Sequence, residues 1–164
     1  MDALGSKLAA AAARVLRDRF GEALAGIVAY GSYARGDCGK HSDLDMMVVL
    51  RETPLRPAQR ADVVAPALAQ FRHTDAWKEA VAAGFWPELS PLVLTVEECR
   101  RLPPLLLDVA TEGVVAWDSG GVAPLLLEIR DRMACAGVKR VELADGGYYW
   151  DLRPGMRLGD VVEF

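Results

Sequence analysis

Between residues 3 and 20, apolar positions recur every three or four residues (Leu4, Leu8, Ala12, Val15, Leu16 and Phe20). That spacing puts them on one face of a helix, with Arg14, Asp18 and Arg19 lying off the stripe and Gly21 as a plausible stop. The compact apolar run Leu24 to Tyr30 then predicts a short strand that ends at Gly31-Ser32, and Leu44 to Leu50 predicts a second. A helical pattern follows the turn residues Thr53, Pro54 and Pro57 and continues to about His73, with Pro66 expected to kink or break it. Asp75 to Ala83 reads as a short helix closed by Gly84, and Ser90 to Thr95 as a third strand. Thr95-x-x-Glu98 is a capping box that starts another helical turn. Leu105 to Glu112 is expected to be helical, Val114 to Trp117 a fourth strand, and Pro124 to Ala136 a helix closed by Gly137. Val141 to Leu143 and Tyr148 to Leu152 flank Asp145-Gly146-Gly147, a hairpin signal, and a Pro154-Gly155 turn precedes Val161-Val162. The pattern predicts one α+β domain, with a core over residues 1–117 and a C-terminal helix and β-hairpin extension over 118–164 packed on it.

Composition narrows the classes. At 164 residues the chain is long enough for one core, and 52% hydrophobic with 26% charged residues excludes general disorder. The net charge of −4 argues against a dedicated binder of long nucleic acid, which would carry a basic face. Cys38, Cys99 and Cys135 are scattered without a CxxC pair, so neither a disulfide framework nor a zinc site is suggested, and a reducing, cytoplasmic setting is expected. Two histidines, His41 and His73, are too few for a histidine-rich metal cage. The apolar run Leu8 to Ala13 ends at Arg14, far short of the roughly 20 residues of a membrane span.

The candidate chemistry lies in Gly31 to Asp45, GSYARGDCGKHSDLD, between the first two strands. Residues two apart on a strand point the same way, so Asp43 and Asp45 project together, on the face shared by Met47 and Val49. Two neighbouring carboxylates repel, and a hard divalent cation removes that cost; Mg²⁺ takes a few carboxylates together with water and phosphate oxygens. Gly31 lets the chain turn sharply and lets a ligand approach the backbone. Ser32 can open a short turn whose N–H groups and hydroxyl hold phosphate oxygens. Arg35 and Lys40 add positive charge for a triphosphate. Anion cradle and metal-binding acids on either side of one loop suit a metal-bound nucleoside triphosphate.

GS, ten residues, then DxD resembles the signature of the DNA polymerase beta-like nucleotidyltransferase superfamily, and GSYARG…SDLD looks most like its minimal nucleotidyltransferases. The motif covers residues 31–45, with a weaker likeness extending to about residue 117. The resemblance implies a small mixed sheet flanked by helices, and transfer of a nucleoside monophosphate, AMP from ATP, to a hydroxyl acceptor. Gly31 and Ser32 would hold the outer phosphates, while Asp43 and Asp45 would ligate two Mg²⁺ ions. The family pattern adds a third acid on a neighbouring strand. The segment SPLVLT contains none, which leaves Glu88, sharing strand parity with Ser90, either as that ligand or as a solvent residue. So short a domain implies a second chain to complete the acceptor wall, as a homodimer or as a helical HEPN-type toxin partner. The alternative is a degenerate transferase fold that binds a partner or senses a nucleotide.

Blander roles stand beside these. Arg35 can pair with Asp37 or Asp18 at the surface, His41 can be a surface loop residue, and His73 suits a helix end. Cys38 has no fixed cation beside it to make it a nucleophile. Tyr148, Tyr149 and Trp150 could stack on a base, but hairpin alternation favours one or two core or interface aromatics.

Overall fold

The computed structural model describes residues 1–144 and 146–155; Asp145 of the hairpin turn and the Val161-Val162 segment lie outside them. Helix α1 (Ala3–Phe20) leads through a short 3₁₀ turn into β1 (Leu24–Tyr30), and the five-residue α2 (Gly31–Arg35) separates β1 from β2 (Leu44–Leu50). Helices α3 (Pro57–Phe71) and α4 (Asp75–Ala82) carry the chain to β3 (Leu89–Thr95). Then follow α5 (Val96–Arg100), α6 (Leu105–Glu112), β4 (Val114–Asp118) and α7 (Val122–Ala136), before the hairpin β5 (Lys139–Glu142) and β6 (Tyr148–Asp151). The four-stranded sheet has the order β3-β2-β1-β4. Strand β1 is antiparallel to both neighbours, and β2 and β3 are parallel. A parallel pair needs a long crossover, which α3 and α4 supply.

The sheet is covered on both faces. Ile27, Ala29, Met46 and Val48 join Leu8, Ala12 and Leu16 of α1 and Val64 and Phe71 of α3 in one buried cluster. Val28, Met47 and Val49 join Leu106 and Val109 of α6 and Val122, Leu126 and Ile129 of α7 in a second. Burial on both sides is why β1 and β2 read as continuous apolar runs rather than as alternation. It also fixes the outlook of Asp45, which shares parity with Met47 and Val49 and so belongs to the α6–α7 side. Among the described residues, no helix is long and apolar enough to cross a membrane.

Several boundaries differ from the sequence reading. Helix α3 runs unbroken through Pro66, which is exposed, so the backbone acceptor its missing N–H leaves lies on the solvent side. Strand β4 extends to Asp118, and α7 starts at Val122, two residues before Pro124. The cause is Asp118, whose carboxylate accepts hydrogen bonds from the backbone N–H groups of Gly120, Gly121, Val122 and Ala123 at 2.8–2.9 Å. Its carboxyl is desolvated, yet these four donors hold it below the usual range.

Among the described residues Arg60 is the buried charge, 6% exposed. Its guanidinium donates to both oxygens of Glu98 (2.6 and 2.9 Å) and to the Val93 carbonyl (2.9 Å). Glu98 also closes the capping box, accepting from the Thr95 N–H at 2.8 Å while its own N–H donates to Thr95 Oγ1 at 3.1 Å. In the hairpin, Lys139 pairs with Asp151 and Glu142 with Tyr148. Tyr148 Oη and Trp150 Nε1 both donate to Asp108 Oδ1 of α6, at 2.7 and 2.9 Å, while Tyr149 stays 51% exposed. Two of the three tail aromatics are thus interface residues.

Candidate functional site

The site is assembled where β1 ends and β2 begins. The backbone turns at Gly31 with φ of +68°, and α2 starts at once, with Tyr30 rather than Ser32 in the N-cap position and Ser32 as the second helical residue. A Cβ placed on Gly31 would overlap Asp45 Oδ2, so the carboxylate lies against the turn's own backbone. Tyr33 is fully buried and fixes α2 from below. Gly36, with φ of +85°, ends α2 and releases the chain into the loop that returns to β2. Asp45 pairs with Tyr30 across β1–β2 and with Ser90 across β2–β3, which sets it between two strands. Asp43 lies two residues earlier, exposed, whereas Asp45 is half-buried.

Burial raises the Asp45 carboxyl above its ordinary range; a hydrogen bond from the Ser90 hydroxyl draws it down, the Asp43 charge pushes it up, and Arg35 draws it down again. The Tyr30 phenol is pushed up to about 12, by burial first and then by Asp45. Among the described residues, neither Asp43 nor Asp45 forms an ion pair with a lysine or arginine. Two hard carboxylates without an ion-pair partner among the described residues, one of them set against an open glycine turn, fit a divalent cation that also takes phosphate oxygens.

Arg35 lies at the end of α2, held by Asp37 (Nε–Oδ2, 3.0 Å) and, at longer range, by Glu112 of α6 (Nη1–Oε2, 3.4 Å). Lys40 is exposed in the loop, and its carbonyl accepts from the N–H of Trp86, a half-exposed indole. Glu88 immediately precedes β3. Its backbone carbonyl extends the β2–β3 pairing by accepting from Leu44 N–H at 2.7 Å, but its carboxylate pairs at the surface with Arg72, the C-cap of α3. Among the described residues, no group of three or more acids, histidines and cysteines could hold a metal.

The residue that neighbours Asp45 on β3 is Ser90, which sequence reasoning noted only for its parity; the parallel register that pairs the two is a tertiary fact. Glu112 carried no signal of its own, since its contact with Arg35 spans 77 positions. The Cys38 thiol is pushed up, by burial first and then by Asp2, the opposite of what a nucleophile needs. His41 is exposed, and His73 follows the end of α3.

The chain is similar to several known proteins. The "Putative protein adenylyltransferase MJ1305" of Methanocaldococcus jannaschii is 34% identical over 104 residues, 62% of this chain and 64% of that protein, so the match spans just under two thirds of the relative's length. Solved structures of similar shape include a toxin-antitoxin with AMP-PNP (TM-score 0.46, 22% identity, 74% of this chain and 82% of that chain). Another is a tri-AMPylated Shewanella oneidensis HEPN toxin in complex with MNT antitoxin (TM-score 0.40, 20% identity, 74% and 82%). Residues 11–109, which include the Gly31 turn and both aspartates, match the nucleotidyltransferase domain family, and the chain belongs to that family.

Proposed function

We propose that this chain transfers AMP from ATP to a hydroxyl group of a partner protein, with Mg²⁺ held by Asp43 and Asp45. The observation that carries the reading is the seating of the Asp45 carboxylate against the Gly31 turn, so that phosphate cradle and metal-binding acids meet at one point. Gly31 and Ser32 hold the outer phosphates through backbone N–H groups and the Ser32 hydroxyl, and Arg35 and Lys40 supply positive charge beside them. Asp45, steadied by Ser90, and Asp43 are the carboxylates that would hold the cations. When bound, Mg²⁺ supplies neutralisation of phosphate charge and activation of the acceptor oxygen. The new bond joins that oxygen to the α-phosphorus, the bond to the β-phosphate oxygen breaks, pyrophosphate leaves with the electron pair, and the hydroxyl proton passes to water. A protein acceptor is supported by the 34% identical relative, a putative protein adenylyltransferase by name, and a helical HEPN-type partner by the GSYARG…SDLD resemblance.

The test is incubation of the pure protein with each α-labelled nucleoside triphosphate, Mg²⁺ and a cell extract. Label from ATP is expected in a protein band and absent with the Asp43→Asn/Asp45→Asn double variant; equal labelling by that variant would end the scheme. A second reading, a nucleotide-binding protein without turnover, is favoured by the engagement of Glu88 with Arg72. It predicts that ATP binds with no label transferred.

A further inference from the structure

The C-terminal hairpin is tied to the proposed nucleotide site through a chain of charges on α6. Asp108 and Glu112 stand four residues apart, on one side of that helix. Asp108 takes the Tyr148 hydroxyl and the Trp150 indole N–H, which fixes β6. Glu112 is divided between two guanidiniums: Oε1 contacts Arg140 of β5, and Oε2 faces Arg35 of α2 at the longer distance of 3.4 Å. Arg140 is held in turn by Glu142 (2.9 Å), and its guanidinium lies 3.7 Å from the centre of the Tyr148 ring. The Glu112 side chain is only 16% exposed, so solvent screens its charge weakly. Arg35 closes the same five-residue helix that Gly31 opens, one turn from the proposed phosphate cradle.

From this arrangement, and resting on the proposed nucleotide site, we propose that Arg140 is a positioning residue for the triphosphate, one that occupies Glu112 and so leaves Arg35 available to phosphate. Without Arg140, the full negative charge of Glu112 falls on Arg35 and on the incoming anion alike. The hairpin thereby sets the affinity of the nucleotide site.

Calorimetric titration of a non-hydrolysable ATP analogue with Mg²⁺ tests this on the full chain. Arg140→Met is expected to weaken binding about fivefold, the scale of one partly screened ion pair, and Arg140→Lys to keep affinity within about twofold. Adding Glu112→Gln to Arg140→Met removes the liberated charge and is expected to restore binding. A hairpin that merely braces the fold would instead make the double variant weaker still. Glu112→Gln alone leaves both Asp108 anchors in place and is expected to bind at least as tightly as wild type, whatever the stability of Arg140→Met. Unchanged affinity in Arg140→Met, no recovery in the double variant, or weaker binding by Glu112→Gln overturns the proposal while the nucleotide site stands. Absence of binding by the wild-type chain removes the nucleotide site itself, and this proposal with it.

Discussion

At Gly31, two constraints coincide: a left-handed φ of +68° and an Asp45 oxygen where a side chain would begin. Gly31→Ala is therefore expected to cost at least about 1 kcal/mol in urea unfolding and to weaken nucleotide binding by displacing Asp45. Loss of stability with full nucleotide affinity would show that the close approach has no part in binding. Glu98 offers a pH test. The Arg60 guanidinium, ahead of the opposing cost of burial, lowers its carboxyl from 4.5 to about 2, so its contribution is fully present above pH 4.5 and is lost as pH falls toward 2. With its side chain 28% exposed, the contribution at neutral pH is about 1–3 kcal/mol after allowance for screening. Chemical denaturation of wild type and Glu98→Gln at pH 7 and pH 3 should show the gap between them narrowing at the lower pH. The Gly31-Ser32 turn and the Asp43/Asp45 spacing were legible in the sequence because both are local patterns, and the β1–β2 pairing brings Asp45 to Gly31. Ser90 and Glu112 were not, because each is brought in through packing between segments distant in the chain.

Among the elements, α7 depends most on a single side chain. Asp118 satisfies the N–H groups at its start, and Asp118→Ala is expected to destabilise the fold by about 1–2 kcal/mol. Because its folded carboxyl lies below the ordinary range, that stabilisation is present above the ordinary carboxylate value and fades as pH falls through the folded one. Urea midpoints of the variant and wild type should therefore converge in acid. The apolar period announced this helix, but not its first turn, since a carboxylate reaching forward from the preceding strand leaves no periodic trace. Pro66 shows the converse, a strong local breaker tolerated because it falls on the exposed side of α3.

For the whole molecule, the boundary at residue 117 has a physical cost. Val122, Leu125, Leu126 and Ile129 of α7 belong to the cluster that covers Val28, Met47 and Val49. We propose that residues up to Gly137 form the folding unit and that the hairpin is an attached module. A chain ending at 117 is expected to lack a cooperative thermal transition, whereas one ending at 138 should retain it; a cooperative melt of the shorter chain would refute this. The strand order β3-β2-β1-β4 lay beyond the sequence pattern, which marked the strands without naming their neighbours.

The Arg60–Glu98 pair has a consequence at the border of the sheet, where β3 has β2 as its one neighbour among the described residues. Pro91 has no N–H to offer, Arg60 occupies the Val93 carbonyl, and Glu98 occupies the Thr95 N–H. A foreign strand laid along this border would find three successive pairing positions closed, which guards the chain against edge-to-edge aggregation on that side.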